Sequence, residues 1–261
     1  MIGRRFPDLA LQLIRHDPPR GPAVGRNAGW RAARAPLLAF TDDDCAADPD
    51  WLSAGLQAAD RSPGAIIQGR TEPAEGEAGL LTRTVTVGKL GPHFETCNIF
   101  YPRAVLERLG GFDESYGSRP AAEDTDLAWR AIETGTPAVF GEDAVIRHAV
   151  ERVGAQGQLR VALRWTEAIR VYGEHPQVRS SLYRGVFWNV WHYLMWRSLG
   201  ALLGPRWLRR FVITRHLIAL HGRARFFRSP ALTAIPYLVV HDAVECYAVA
   251  RGALRYRTLV L

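Results

Sequence analysis

The stretch Leu37-Leu38-Ala39-Phe40-Thr41-Asp42-Asp43-Asp44-Cys45 leads from an apolar run directly into three consecutive carboxylates. The run has the length and composition of a buried β-strand, and ligands of parallel sheets bind beyond the strand C-termini. Adjacent like charges repel unless solvent or a cation compensates them, and Mg²⁺ and Mn²⁺ prefer oxygen ligands. Taken alone, a solvated turn that caps the next helix explains the aspartates equally well. Their position at a strand end favours a metal site.

Short apolar runs alternate with amphipathic segments through the first half of the chain. The runs predict strands over 9–14, 37–41, 65–69, 96–101, 138–140 and 145–148. The segments between them predict helices over 24–34, 49–60, 102–109 and 123–134. This alternation predicts an α/β fold with a mostly parallel sheet.

Strand patterns stop after about residue 155, and the remaining chain predicts helices over 158–172, 180–203, 206–222 and 231–251. We therefore divide the chain into an α/β domain, 1–155, and a helical, basic region, 156–261. The net charge of +7 combines −5 in residues 1–150 with +12 in residues 151–261. No run of 18 apolar residues occurs, so we expect no membrane-spanning helix.

Composition excludes several classes of protein. With 261 residues, 48% of them hydrophobic, the chain is long and apolar enough for a substantial core, and it is neither disordered nor collagen-like. Cys45, Cys97 and Cys246 are widely separated, which argues against a disulfide framework or a zinc ribbon. A reducing cytoplasm fits these cysteines best.

Three further motifs carry polar side chains, and each has an ordinary structural explanation. Gly110-Gly111-Phe112-Asp113-Glu114 precedes Glu123-Asp124-Thr125-Asp126-Leu127, whose acidic residues suit a helix N-terminus for dipole reasons alone. Gly21-Pro22-Ala23-Val24-Gly25-Arg26-Asn27-Ala28-Gly29 is a small-residue helix start that fits neither a P-loop nor the dinucleotide fingerprint. His148 ends a predicted strand, where a histidine is more often structural than a ligand.

In this order and spacing, the four motifs resemble the family 2 glycosyltransferases of the GT-A fold. That family has a G-x-x-x-x-R-N-x-G helix, a strand ending in a DxD-type motif, a GGFDE loop and an ED-x-D-L helix. The Asp-Pro-Asp-Trp-Leu run at 48–52 and Asn98 also look like the family. The resemblance covers roughly residues 10–150.

The resemblance implies a role for each matching residue. Asp44, Asp42 and His148 would hold a divalent cation, Mg²⁺ or Mn²⁺, on the diphosphate of a nucleotide-sugar. Asp124 would be the general base of an inverting transfer, and Glu123 would orient the acceptor. The donor would contact Arg26, Asn27, Asp42 and Asp43, and the acceptor would contact Asn98, Gly111, Phe112 and Trp129.

The chain departs from the family at its N-terminus. Members begin with a strand, helix and strand that build the nucleoside pocket, whereas twenty residues precede Gly21 here and predict one strand, 9–14. We therefore expect the first strand and helix to be missing. Three explanations stay open: an upstream start codon, a degenerate copy, or a sheet completed by another chain. An open sheet edge would invite association.

Tryptophan, tyrosine and arginine alternate in the basic region between Arg184 and Arg210. Charge alone would allow nucleic-acid binding, but no nucleic-acid recognition motif accompanies it, so we expect no such partner. Aromatic residues with arginine suit a helix lying in a membrane interface. An ordinary helical appendage that packs its tryptophans inward explains the pattern nearly as well.

The preferred interpretation is an inverting, metal-dependent glycosyltransferase that takes a nucleotide-sugar and a hydroxyl acceptor, possibly lipid-linked. We expect it to serve cell-surface polysaccharide or glycolipid synthesis, in the cytoplasm and peripheral at the inner face of the membrane. The alternative is a non-catalytic, membrane-associated scaffold of glycosyltransferase type. A metal-dependent phosphotransferase or hydrolase ranks last, because the sequence has no matching nucleophile or phosphate loop.

Overall fold

The computed structural model describes residues 11–76, 78–117 and 122–261. Its strands are β1 Leu37–Thr41, β2 Cys45–Ala47, β3 Ile66–Pro73, β4 Thr82–Arg83, β5 Asn98–Pro102, β6 Ala138–His148 and β7 Glu151–Arg152. The helices of the first half are α1 Pro22–Ala32, α2 Trp51–Arg61, α3 Arg103–Leu109 and α4 Glu123–Glu133. The four helices and the strands β1, β3 and β5 agree with the predicted ones to within a few residues, whereas β6 joins two predicted strands into one and β2, β4 and β7 were not predicted.

The central sheet is buried on both faces because successive residues of its inner strands point to opposite sides. Ile66 and Tyr101 lie in a core cluster with side chains of α1, α3 and α4. Ile67 and Phe100 lie in a second cluster with side chains of α2. The result is three layers, helix–sheet–helix, as the predicted α/β class requires.

The five-stranded sheet has the order β1-β5-β3-β6-β2 and is mixed. Only β3 and β6 pair in parallel among the described strands, whereas β1–β5, β3–β5 and β2–β6 are antiparallel. The prediction of a mostly parallel sheet is therefore wrong in this detail. A parallel neighbour needs a crossover connection, usually helical, and the described part of the segment between β3 and β5 contains no helix.

The three aspartates occupy the connection between the two outermost strands of this sheet. β1 lies at one edge and β2 at the other, with Thr41 opposite Asn98 and Cys45 opposite His148. The chain from Asp42 to Asp44 therefore passes along one end of the sheet. Asp42 follows the end of β1, and Asp44 precedes the start of β2.

The predicted strand over 9–14 falls partly outside the described residues, which begin at 11. Residues 11–14 form no strand, and Leu13 is 77% exposed. A strand needs a hydrogen-bonded neighbour, and none of the described strands pairs with this segment.

The second half of the chain is helical, as predicted, but more divided. Its helices are α5 Gly154–Ala162, α6 Trp165–Ala168, α7 Arg170–Glu174, α8 Val190–Ala201, α9 Arg206–Phe226 and α10 Ala231–Arg255. The helix predicted over 158–172 is divided among α5, α6 and α7, and the helix predicted over 180–203 begins only at Val190. Residues 176–181 form a 3₁₀ turn that begins at Pro176, where the missing amide hydrogen prevents a continuous α-helix.

By length and composition alone, α10 could cross a membrane. It has 25 residues, and its most apolar window has a mean hydropathy of 1.2 and is 39% buried. The expectation of no membrane-spanning helix stays a prediction, because length and composition alone do not show that α10 spans a bilayer. Buried Asp242 and Glu245 interrupt its apolar run without making the window polar on average.

Candidate active site

Arg26 joins two carboxylates that are distant in sequence. Its guanidinium donates from Nη1 to Glu123 Oε1 at 2.7 Å and from Nη2 to Asp42 Oδ1 at 3.1 Å. Burial opposes the charge of Arg26, but the carboxylates of Asp124, Glu123 and Asp42 outweigh this effect and raise its pKa. The structure thus brings α1, the end of β1 and the start of α4 together around one cation.

Asp124 lies at the N-terminus of α4, in a recess beside Arg26. Burial, followed by repulsion from Glu123, raises the pKa of Asp124 to about 7, although Arg26 and the Thr125 amide oppose this shift. Its Oδ1 accepts a hydrogen bond of 2.8 Å from the Thr125 amide, and part of the side chain remains accessible to solvent. A carboxylate with a pKa near neutrality can accept a proton at physiological pH, as a general base must.

The remaining aspartates lie on the other side of Asp42. Asp43 is exposed, and Asp44 Oδ2 faces His148 Nε2 at 3.5 Å. Cys45 Sγ also contacts Asp44, at 3.8 Å from Oδ1. Asp44, Cys45 and His148 have ligand atoms within 4.8 Å of one another, so they could hold a metal ion.

The hydrogen bonding of His148 fits a metal ligand. Its Nδ1 lies 2.9 Å from the carbonyl oxygen of Ala149, and because a carbonyl only accepts, this nitrogen must donate. In the neutral ring, Nε2 then carries a lone pair that faces an anionic oxygen of Asp44. A cation between the two atoms would satisfy both, and the backbone bond fixes the ring orientation as in known metal sites. A carboxylate with an imidazole suits Mn²⁺ or Mg²⁺, the former better.

Two predicted binding residues are structural. Asn98 is 0% exposed; its Nδ2 donates to the carbonyls of Arg70 and Ala144, and its Oδ1 accepts from Trp51 Nε1. Asn27 is 1% exposed, and its amide bonds to both backbone polar groups of Phe112. In this arrangement core partners use the polar atoms of both side chains, and the contacts predicted for Asn98 with an acceptor and for Asn27 with a donor stay predictions.

Three predicted acceptor residues also belong to the packing of the site. Gly111 has a φ of 83°, and a Cβ there would lie 2.3 Å from Asn27 Oδ1. The Phe112 ring is 3% exposed and packs edge-on against Phe40 at 5.5 Å. Trp129 donates from Nε1 to the Pro92 carbonyl. These residues pack beneath the start of α4, and their predicted contact with an acceptor stays a prediction.

A loop that the sequence analysis did not select lies over the start of α4. Thr125 Oγ1 donates to the His93 carbonyl at 2.7 Å, and the charge of Glu95 contributes to the raised pKa of Asp124. Burial lowers the pKa of His93. No local motif marks 92–95; only the acidic and imidazole side chains just before β5 could have drawn attention to it.

The helical region is hydrogen-bonded to α4 through His175. Each ring nitrogen of His175 lies within hydrogen-bond distance of a carboxylate oxygen. Nε2 is 3.1 Å from Asp126 Oδ1, and Nδ1 is 3.0 Å from Glu133 Oε1. Burial opposes the charge of His175, but these two carboxylates raise its pKa. Arg170 Nη2 also donates to Asp113 Oδ2 at 2.8 Å. The helical region therefore fixes both the GGFDE loop and the helix that carries Asp124.

A separate groove of about 610 Å³ lies between α2 and the strands β3 and β6. Arg70 pairs with Glu142 and Arg147 with Asp48, so both arginines of its lining are held by carboxylates. We place the candidate site around Asp42, Asp44 and Asp124 instead, because there a base with a raised pKa and a metal-type donor pair lie near the same sheet end.

Comparison with known sequences agrees with this site. The sequence model of glycosyl transferase family 2 matches residues 7–112, which include Arg26, the three aspartates and the start of the GGFDE loop. The first part of the chain is therefore similar to glycosyl transferase family 2.

Curated proteins similar to this chain carry glycosyltransferase names. It is 28% identical over 155 residues to the pre-mycofactocin glycosyltransferase of Mycobacterium tuberculosis, covering 53% of this chain and 32% of the relative. It is 24% identical over 155 residues to the glycosyltransferase AglE of Haloferax volcanii, covering 55% of this chain and 49% of AglE. The chain thus spans between a third and a half of the length of these relatives.

Among solved structures, the chain is similar to the mannosyltransferase PcManGT from Pyrobaculum calidifontis, determined in complex with GDP-Man and Mn²⁺. The superposition has a TM-score of 0.60 at 19% identity and covers 94% of this chain and 72% of PcManGT. At this identity the similarity supports the GT-A fold, including the helical region. It carries no conclusion about substrate.

Proposed function

We propose that this protein is an inverting glycosyltransferase that moves a sugar from a nucleotide-sugar to a hydroxyl acceptor. The observation that carries the proposal is Asp124, a carboxylate whose pKa is raised to about 7 in a partly open recess. The family and the names of the curated relatives support the same activity.

Asp124 is the general base in this proposal. Its Oδ1 is oriented by the Thr125 amide, so we assign Oδ2 to take the proton from the acceptor hydroxyl. The hydroxyl oxygen attacks the anomeric carbon as the bond to the nucleoside diphosphate breaks, and attack from the opposite face inverts the configuration. A positioned base contributes about 10² to 10⁴ in rate.

Arg26 acts as a positioning residue. Its hydrogen bonds to Asp42 and Glu123 hold the two acidic motifs at a fixed separation, so its guanidinium is committed to protein carboxylates. This replaces the predicted direct contact of Arg26 with the donor. Glu123, 3% exposed, orients this side of the recess, while exposed Asp43 keeps its predicted role near the donor.

Asp44 and His148 are the residues proposed to hold a divalent cation. Asp42, the other predicted ligand, shares one oxygen with Arg26 and would contribute through the second. When bound, the cation would supply charge neutralisation for the departing nucleoside diphosphate. A solved structure of similar fold contains Mn²⁺ with a nucleotide-sugar, which supports the presence of a metal in this fold.

The acceptor belongs to cell-surface polysaccharide or glycolipid in this proposal, and the protein lies peripherally at the inner face of the membrane. The basic region supports such a location, because residues 151–261 carry a net charge of +12. Cytoplasmic membrane leaflets are anionic and attract such segments.

Release of nucleoside diphosphate from a panel of nucleotide-sugars, with Mn²⁺ and alkyl glycoside acceptors, tests the activity. We expect turnover with at least one donor, and NMR of the first product should show an inverted anomeric centre. Asp124→Asn should bind the donor without turning it over, whereas Asp60→Ala, an exposed aspartate on α2, should behave as the wild type. Donor binding without turnover in the wild type would favour the non-catalytic scaffold.

A further inference from the structure

The last three helices bury polar side chains between them. His192 is 0% exposed, and its Nε2 lies 3.1 Å from Glu245 Oε2. Asp242 is also 0% exposed and accepts two hydrogen bonds, of 2.8 and 3.1 Å, from Arg223 Nη1. Each of these pairs joins α10 to α8 or α9, beside an apolar cluster of Leu220, Ala224, Ala234 and Leu238.

The outer surface of the same helices is apolar. On α9, Trp207 is 70% exposed, Phe211 61% and Ile218 62%, and Leu203 in the preceding turn is 94% exposed. Their spacing places them on one side of the helix. The buried residues Val212, His216 and Leu220 lie on the opposite side. We call Leu203, Trp207, Phe211 and Ile218 the apolar stripe.

The outer surface of α10 is similar. Its exposed large side chains include Leu232, Val239, Val240, Tyr247 and Leu254, and a spacing of seven residues, about two helical turns, places them along one side of the helix. Single exposed apolar residues are ordinary on a soluble protein, but continuous apolar stripes mark an interaction surface. The helices thus pair polar side chains in their interior and carry apolar side chains on their outer surface, an arrangement that a lipid environment favours.

The positive charge around the apolar stripe favours an anionic partner. From His175 to His241 the chain contains ten arginines and no aspartate or glutamate. Arg210 and Arg215 are exposed residues of α9, and one lies on each side of the apolar stripe. Interfacial helices combine an apolar face with flanking cations that bind anionic headgroups, and tryptophan prefers this layer.

We propose that the apolar stripe, with its flanking arginines, seats the protein on an anionic lipid bilayer. α9 lies in the plane of the interface rather than across the membrane, because Val212, His216 and Leu220 on its opposite face are buried in the protein. The end of α10 is likewise held by protein, since a Cβ at Gly252 would lie 2.5 Å from the Thr166 carbonyl. This inference is independent of the proposed transfer reaction.

Sedimentation with sucrose-loaded vesicles tests the proposal on the full chain. With vesicles of phosphatidylcholine containing about 30% phosphatidylglycerol, the wild type should sediment, and pure phosphatidylcholine should bind it several-fold less. Trp207→Ser with Phe211→Ser should weaken binding about tenfold or more, because two large apolar groups no longer enter the interface. The matched control is Leu52→Ser with Leu56→Ser, two leucines of α2 that are 54% and 53% exposed at the same spacing. The control should bind as the wild type does.

Two further readouts separate insertion from simple charge attraction and from misfolding. Addition of vesicles should shift tryptophan emission of the wild type to shorter wavelength, and Trp207→Phe should remove most of this shift. Arg210→Gln with Arg215→Gln should reduce the loss of binding caused by raised salt. Absence of vesicle binding, or equal loss in the α2 control, would overturn the proposal. So would a wild-type dimer that the stripe variant converts to a monomer, because a second copy would then cover the stripe.

Discussion

Arg26 Nη1 donates to Glu123 Oε1 across 97 residues of sequence, at 2.7 Å. Glu123 is 3% exposed, and the same guanidinium also holds Asp42 at the end of β1. The two acidic motifs of the chain are therefore parts of one electrostatic unit. This unit determines the charge around Asp124, whose pKa reflects burial first, then Glu123, with Arg26 opposing both.

Loss of Arg26 should destabilise the protein more than loss of its neighbour Arg31. Arg26→Ala leaves buried Glu123 without this cation, so we expect a loss of about 3 kcal/mol in the free energy of unfolding. Arg31→Ala, one turn further along α1, removes a side chain that is 52% exposed and 3.8 Å from Glu114. It should cost about 0.5 kcal/mol or less. Urea denaturation measures both, and equal losses would refute the special role of Arg26.

Asp124→Asn should retain donor affinity and lower turnover by about 10² or more, the scale expected for a lost general base. The amide keeps the shape of the side chain and the hydrogen bond from the Thr125 amide, but it cannot take the acceptor proton. Calorimetric donor binding and steady-state turnover, measured on the same preparation, separate the two effects. An equal loss of donor affinity would indicate that Asp124 serves only as a structural helix start.

The pH dependence should follow the raised pKa of Asp124. The protonated carboxyl cannot act as a base, so turnover should rise with pH through about 7 and then level off. Turnover that is flat between about pH 5.5 and 8.5 would contradict this assignment of the base.

Stability gives a second readout of the same shift. An unfolded aspartate loses its proton near pH 3.9, about the reference value, whereas folded Asp124 keeps it to about 7. The folded state therefore binds the extra proton between these limits, and its stability from this group falls as pH rises through the window. Asp124→Asn should remove that slope. The melting temperature of the variant, relative to that of the wild type, should therefore increase as pH rises. A constant difference would contradict the raised pKa.

Asn98→Ala should act on stability rather than on acceptor binding. The variant leaves Trp51 Nε1 and the carbonyls of Arg70 and Ala144 without a core partner, and each unsatisfied buried group costs about 1 to 3 kcal/mol. We expect a large drop in melting temperature with an unchanged Michaelis constant for the acceptor in the fraction that folds. A raised Michaelis constant at normal stability would restore the original prediction that Asn98 binds the acceptor.

The sequence was sufficient where the signal is local. An apolar run followed by three aspartates located β1 at Leu37–Thr41, and the acidic cluster at Glu123 located the start of α4. It was insufficient where chain direction depends on distant pairing. The reversal between β3 and β5 has no local signature, so the sheet was predicted to be more parallel than it is.

The same limit applies to the site. A motif identifies Asn98 but does not state whether its amide faces a ligand or a tryptophan of the core, which only the packing of α2 against β5 decides. His175 lies in a helical region without any motif, yet its ring bonds to Asp126 of α4, the helix that also carries Asp124. The open edge expected before β1 stays a prediction, as does the boundary between residues 155 and 156.

The most direct test of the account is Mn²⁺-dependent donor binding by calorimetry, with GDP- and UDP-sugars titrated into the wild type and into Asp44→Ala. We predict that at least one nucleotide-sugar binds the wild type with Mn²⁺ and that chelation weakens binding about tenfold or more. Asp44→Ala should bind weakly with or without metal, and Asp60→Ala should match the wild type. Equal, metal-independent affinity of the wild type and Asp44→Ala, or no binding of any nucleotide-sugar by the wild type, would contradict the account.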